Sequence, residues 1–277
     1  MIIHASLKTD IAQFYSDWIF TRLKEGFIDI PDEKNINRYN FDKNNLSKIY
    51  FWSKDPQPLL KRIKELLAIK YDFEIVTEIS LYDKCYEPKI KSKQRIMEDI
   101  RKFSNLIGKD RISLCYGPIF TTYNCSEEWH LFQFEFLCKQ LHNAINKIYI
   151  SYEISPNCLN AVNYNIKKIS SNQQDVLFEK FKNIAQTYNL ELLKKPELTS
   201  LANDELDIGE MNTCPAACVY CVGMNNKRTI KIKHEKHCSY SSLLIGKLDY
   251  DAKIKDIILV KKEKNKIENS IESLFDF

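Results

Sequence analysis

Three cysteines within eight residues, Cys214-Pro215-Ala216-Ala217-Cys218-Val219-Tyr220-Cys221, are the group in this chain best suited to chemistry. Their spacing is C-x3-C-x2-C, with an aromatic residue ahead of the third cysteine. One tight loop of that kind can give a thiolate to each of three irons of a cubane 4Fe-4S cluster, leaving the fourth iron open to a ligand from outside the protein. Zinc ribbons instead use C-x2-C or C-x4-C knuckles and close a four-ligand shell, so zinc is the alternative metal. His234, His237 and Cys238 downstream are candidates for a fourth zinc ligand. For the two histidines, a surface position in a lysine-rich strand is the simpler expectation. Nine cysteines in all, an odd number without a dense disulfide framework, point to reduced thiols. Cys115, in a strand, and Cys138, on a helix stripe, are expected to act as small hydrophobes.

Such a loop needs a scaffold, and most of the chain alternates short β-rich runs with helical stripes, the pattern of βα units around a parallel sheet. The predicted strands are Ile2–Ser6, Ile49–Trp52, Phe73–Ser80, Ile112–Tyr116, Ile148–Tyr152 and Leu190–Leu193. Helical stripes lie between them. Ile11, Phe14, Tyr15, Trp18 and Ile19 follow an Asp10/Gln13 capping pair, and Leu59, Ile63, Leu66 and Leu67 follow Pro56 and Pro58. Ile96, Ile100, Phe103 and Ile107 stop at Gly108; Leu131 through Ile145 follow an Asn124 cap; Leu177 through Tyr188 end at Asn189. The polar stretch 28–45 reads as a loop or as hiding a further short strand. No glycine-rich dinucleotide fingerprint is present, so the fold class expected is α/β, a full or partial (β/α) TIM-like barrel. The barrel is expected over residues 1–200, the cysteine-bearing segment packed on it over 201–248, and a charged extension over 249–277.

In a barrel, residues at the C-terminal ends of strands converge on one mouth. Asp10, Lys54, Glu78, Tyr116 and Glu153 are so placed, and Asp10, Lys54 and Tyr116 are the candidates for contacting substrate or cofactor. Each has a plainer reading: Asp10 as a helix cap, Lys54 as a loop cation, Glu78 as a solvent-facing charge. Trp52 fits a stacking platform or a buried core residue equally, and His130 reads as a helix-face residue.

The chain has 277 residues with 41 Lys plus Arg against 37 Asp plus Glu, a net charge of +4, too mild to require a nucleic-acid or membrane partner. The basic run Lys227, Arg228, Lys231, Lys233 and Lys236 could track a phosphate backbone, but lysines are frequent throughout, so nucleic acid is not favoured. No apolar run approaches a membrane span, and the first residues do not form a signal peptide, so the cytoplasm is the expected compartment. No P-loop, nucleophile elbow or HExxH motif occurs.

The cysteine spacing resembles that of radical S-adenosylmethionine (SAM) enzymes. That resemblance implies SAM bound at the open iron, reductive cleavage to a 5'-deoxyadenosyl radical, an electron donor, and a substrate the sequence does not name. The wider pattern resembles the bacterial domain of unknown function 1848. It is carried by Ser6-Leu7-Lys8-Thr9-Asp10-Ile11, Phe51-Trp52-Ser53-Lys54-Asp55-Pro56, Glu87-Pro88, Tyr116-Gly117-Pro118-Ile119, Asp207-Ile208-Gly209, Asn212-Thr213-Cys214 and Leu243-Leu244-Ile245-Gly246. Three stretches depart from that pattern: its paired arginines are Leu7 and Lys8 here, its Arg-Tyr-Asp-Pro is Cys115-Tyr116-Gly117-Pro118, and the cysteines it usually places ahead of the Asp-Ile-Gly piece give way to Leu201-Ala202-Asn203-Asp204. No two glycines are adjacent, so the Gly-Gly-Glu element of many radical SAM enzymes does not exist. These departures favour the other function class, a non-catalytic accessory protein whose metal staples the C-terminal segment to the barrel.

Overall fold

The computed structural model describes residues 1–33, 35–159 and 164–258. In chain order the elements are β1 (Ile2–His4), α1 (Ile11–Phe14), α2 (Ser16–Glu25), β2 (Phe27–Pro31), β3 (Ile36–Asn40), β4 (Lys48–Ser53), α3 (Gln57–Lys61), α4 (Ile63–Ala68), β5 (Phe73–Ile79), α5 (Lys93–Ile107), β6 (Ile112–Tyr116), α6 (Glu127–Leu141), β7 (Lys147–Ile150), α7 (Pro156–Leu159), α8 (Ser171–Thr187), β8 (Glu191–Lys194), β9 (Glu205–Asp207), α9 (Lys227–Glu235) and β10 (Ile254–Ile257). Seven strands form one sheet in the order β8-β7-β6-β5-β4-β1-β9, every neighbouring pair parallel. It curls into a half-barrel, so of the two architectures expected the partial barrel describes this fold. Its edges are β8 and β9, consecutive in the chain and hydrogen-bonded to β7 and β1 respectively.

All six predicted strands are present within a residue or two. The seventh, β9, is only three residues long and pairs Ile2 with Glu205 and His4 with Asp207. The stretch 28–45 does hide strand structure, two short strands where one was expected: β2 and β3 form an antiparallel hairpin, and β10 adds parallel to β3 in a second, three-stranded sheet. Arg38 holds the buried Asp29 there through two hydrogen bonds of 2.8 Å. Of the expected charged extension 249–277, residues 259–277 lie outside the described residues.

Side chains alternate across the main sheet with the period of two that a strand imposes. Ile3, Ile49, Phe51, Phe73, Ile75, Ile112, Leu114, Ile148 and Ile150 face the helices and pack against Ile11, Trp18, Ile100, Phe103, Phe134 and Phe181. The opposite set fills the concave side. Trp52, Val76, Cys115 and Tyr149 form a separate small apolar plug with Leu7. At the N-terminal ends of the strands below the plug, fully buried Glu74 is held by Lys48 at 2.9 Å, Lys147 at 2.8 Å and the Ser113 hydroxyl at 2.6 Å. A carboxylate that deep is tolerable only with its charge and lone pairs matched in this way.

Helix ends follow local hydrogen bonding. The Asp10 carboxylate accepts from Gln13 N at 2.9 Å and starts α1, while Tyr15 at φ −134° splits the expected continuous stripe into α1 and α2. Gly108, at φ 83°, ends α5. The cap of α6 is Ser126, not Asn124: its hydroxyl accepts from Trp129 N, and acidic Glu127 and Glu128 sit in the first turn. The lysine-rich segment around His234, expected as a strand, is the helix α9, capped by Asn226.

Candidate functional site

The cysteine loop leaves the edge strand β9 at the C-terminal end of the sheet and is tied down from three sides. Asp207, the last residue of β9, accepts from Leu7 N, Ser6 Oγ and Gly209 N and pairs with Lys8 at 3.3 Å, knotting the loops after β1 and β9. Thr213, fully buried, shares a hydroxyl contact with Thr9, and its carbonyl accepts from Tyr15 OH at 2.6 Å. From the loop after β5, Tyr86 O accepts from Val219 N; in the loop after β7, Ser155 N donates to Tyr220 O. At Gly223 a Cβ would stand 2.0 Å from the Lys8 carbonyl oxygen, so only glycine admits this approach of two backbones.

Between that loop and the strand ends opens a cavity of about 750 Å³, counted out to solvent, whose wall includes Cys214, Cys218 and Cys221. Asp10, Lys54, Glu78, Glu153 and Trp52 line it as well. Tyr116 does not. Strand alternation turns Cys115 to the concave side and Tyr116 to the helices, where its hydroxyl meets His130 Nδ1 at 2.8 Å. His130 is correspondingly a core residue and not a helix-face one, 1% exposed with Nε2 at 2.9 Å from Phe120 O. Burial pushes its imidazole down to about 4. Trp52 is buried in the plug, as the core reading expected, and also forms part of the cavity wall.

Glu87 is the electrostatic hub behind the cysteines. It is 1% exposed and accepts from Ser80 Oγ at 2.7 Å and from the hydroxyl of Tyr220, the aromatic residue ahead of the third cysteine. Lys54 lies 2.9 Å from it and Lys93 also pairs with it. Burial alone would raise its pKa, but the two ammonium groups outweigh that and hold the carboxylate at about 2. Burial likewise opposes the charge on Lys54, yet Glu87, with Glu78, keeps it protonated. Burial raises all three cysteine thiols, Cys214 to about 12 with Asp10 and Cys221 adding to the effect, whereas Lys54 eases the ionisation of Cys218. Asp10, also accepting from Lys54 N at 2.8 Å, is pushed up to about 7 by burial.

Three soft sulfur donors on one cavity wall, beside a fixed cation, suit a thiolate-bound metal group. Among the described residues no group of three or more His, Cys, Asp or Glu side chains is gathered closely enough to hold a metal ion. Of the downstream zinc candidates, His234 Nδ1 meets Tyr15 OH at 3.1 Å and His237 Nδ1 meets Leu244 O at 2.7 Å, and none of His234, His237 and Cys238 lines the cavity. In the basic run, Lys233 pairs with Glu210 and Lys231 with Glu235.

The family model described as "Domain of unknown function (DUF1848)" matches residues 2–203. The chain belongs to this family. The match covers every strand of the sheet except β9 and stops before the cysteine loop, so membership fixes the scaffold and leaves the loop to its own residues. No curated protein matches the chain. Among the described residues no helix is long and apolar enough to cross a membrane.

Residues the sequence left unremarked complete the site. Lys195 follows β8, pairs with Glu78 and lies 5.1 Å from the Trp52 ring; Ser151 follows β7. The signal for both was strand parity. They are in phase with Cys115 and Glu78, as Tyr116 is not.

Proposed function

We propose that this protein is an iron–sulfur protein of the radical SAM-like type, with a 4Fe-4S cluster on Cys214, Cys218 and Cys221 and its substrate in the adjoining cavity. The observation that carries the reading is that all three cysteines of the C-x3-C-x2-C loop share one wall of a cavity at the C-terminal ends of a parallel β/α sheet. When bound, such a cluster would supply an electron for reductive cleavage of SAM, while the protein supplies position and electrostatics. Lys54 offsets negative charge gathered at Cys218. Glu87 fixes Lys54 and Tyr220, and through Tyr220 the backbone between the second and third cysteines. The Asp207 and Gly223 contacts hold the loop against the end of β1.

The test is purification without oxygen, with iron, sulfide and zinc measured and an electron paramagnetic resonance spectrum of the reduced protein recorded before and after adding SAM. About four irons and four sulfides per chain are expected, with a spectral change on adding SAM and loss of iron in each Cys→Ala variant. One tightly held zinc without sulfide, or full iron in those variants, overturns the assignment.

A second reading is favoured by the loop's own bonding, which joins the loops after β1, β5 and β7: a structural metal that staples the half-barrel in a non-catalytic protein. A cluster whose spectrum ignores SAM would select it.

A further inference from the structure

In the helix layer α6 packs between α5 and α8: Arg101 of α5 donates to Gln140 O at 3.1 Å, and the Phe134 and Phe181 rings lie 4.6 Å apart. The two outer helices turn charge to solvent, Glu98 and Lys102 on α5, Glu179 and Lys182 on α8. Their exposed Leu106 and Val176 stand singly, as apolar residues do on any protein surface. In α6 two phenylalanines stand together on the outside, Phe132, 69% exposed, and Phe136 one turn further on. The inner face is apolar too, with Phe134, Leu137, Cys138 and Leu141 buried. A helix apolar on two opposite faces is one that has something against each of them. The sheet covers one; nothing in a single chain covers the other.

The charges on that outer face select what covers it. Exposed Glu128 lies in the first turn of α6 and exposed Lys139 in the last. At 3.6 residues per turn, Glu128, Phe132, Phe136 and Lys139 fall within about 80° of one another around the helix. A second α6 laid antiparallel across this face, about a two-fold axis level with Phe134, brings Phe132 of each copy beside Phe136 of the other. Glu128 of each copy then meets Lys139 of the other, within about 1.5 Å along the helix axis. A parallel pairing would set Glu128 against Glu128 and Lys139 against Lys139. We propose that the outer face of α6 is the contact between two copies of this chain, packed antiparallel about a two-fold axis. Glu135, the charge nearest that axis, meets its own counterpart at the rim and is the one unfavourable contact. The surface lies in the helix layer, away from the cavity, and the pairing requires neither a metal nor the proposed function.

Sedimentation equilibrium of the full chain, from about 1 to 100 μM, measures the pairing as a dissociation constant. Twice the mass of one chain is expected within that range. Phe132→Asp, an exposed substitution that leaves the inner face of α6 intact, is expected to raise the constant at least about tenfold. Glu128→Lys should weaken the dimer about fivefold, since both copies of the ion pair become repulsive at once. Adding Lys139→Glu to it reverses both partners and should restore the dimer. Glu135→Gln should tighten it, an effect that arises only where a residue meets its own copy. A chain that stays monomeric at about 100 μM overturns the proposal. So does a dimer that survives Phe132→Asp, in a variant whose melting curve shows it folded. A double variant no tighter than Glu128→Lys alone overturns the antiparallel two-fold. Iron content has no bearing on any of these outcomes, so a sample without a cluster that still pairs through Phe132 upholds the contact while removing the cluster reading.

Discussion

Replacing Glu87 by Gln keeps the shape of the side chain and removes its charge. Lys54, about 9% exposed, would then be a buried ammonium facing no carboxylate within the hub. Breaking a buried pair from one side costs about 3 to 5 kcal/mol, because the remaining charge stays desolvated. The retained amide can still accept from Ser80 or Tyr220, so the lower figure applies, about 3 kcal/mol. For a chain of this size that corresponds to a melting temperature lower by about 6 to 12 °C. Lys54→Met is expected to cost less, about 1 kcal/mol, since Lys93, Ser80 and Tyr220 continue to serve Glu87. The double variant Glu87→Gln/Lys54→Met should therefore be more stable than Glu87→Gln alone. Urea unfolding of the four proteins at pH 7 measures this cycle. The pH dependence adds a signature: with its carboxyl depressed from 4.5 to about 2, Glu87 contributes stability that is complete above about pH 4.5 and lost as pH falls towards 2. Glu87→Gln should lack that slope. A cost below about 1 kcal/mol, or a double variant no better than the single, would refute the account of Glu87 as the hub.

Two other perturbations test the scaffold. Gly223→Ala forces a Cβ onto the Lys8 carbonyl and should cost about 1 to 3 kcal/mol, as overpacking does; it should also lower metal content, and a variant of unchanged stability and metal content would remove that contact from the argument. His130, neutral in the fold down to about pH 4 but protonated below about 6.5 when unfolded, contributes stability present above pH 6.5 and lost as pH falls to 4, up to about 3 kcal/mol. Stability of His130→Leu measured at pH 7, 6, 5 and 4 should lose that slope, and an unaltered slope would assign it to other groups.

The strands that carry a helix-facing apolar row were readable in sequence because burial against a helix layer repeats every second residue. Phe73, Ile75 and Ile79 announce β5, and Ile112 and Leu114 announce β6. The strand β9 was not readable as one: three residues, Glu205, Leu206 and Asp207, carry no period, and their strand character comes from pairing with β1. The hairpin β2–β3 was hidden because its buried Asp29 is solvated by Arg38, a partner nine residues away that composition cannot pair. In the site, Lys54, Glu78 and Glu153 were located from their strand ends. Tyr116 was misplaced for want of a parity argument, since one residue along a strand exchanges the cavity for the helix layer. Lys195 was missed because its position depends on where β8 stops. The role of Glu87 was invisible because its four partners come from four different segments of the chain.

The edge position of β9 also bears on how the protein is made. Of the strands of this sheet β1 is synthesised first, yet one of its two neighbours, residues 205–207, is synthesised last. Parallel pairing across such a separation is slow, and until it happens β1 presents an open hydrogen-bonding edge to the crowded surroundings of the nascent chain. The cysteine loop has no platform before that closure, because Asp207 and Gly209 are the residues that anchor it to the end of β1. Anchoring of the loop therefore depends on the β1–β9 pairing as well as on the loop's own residues, and a chain that stops ahead of residue 205 lacks both.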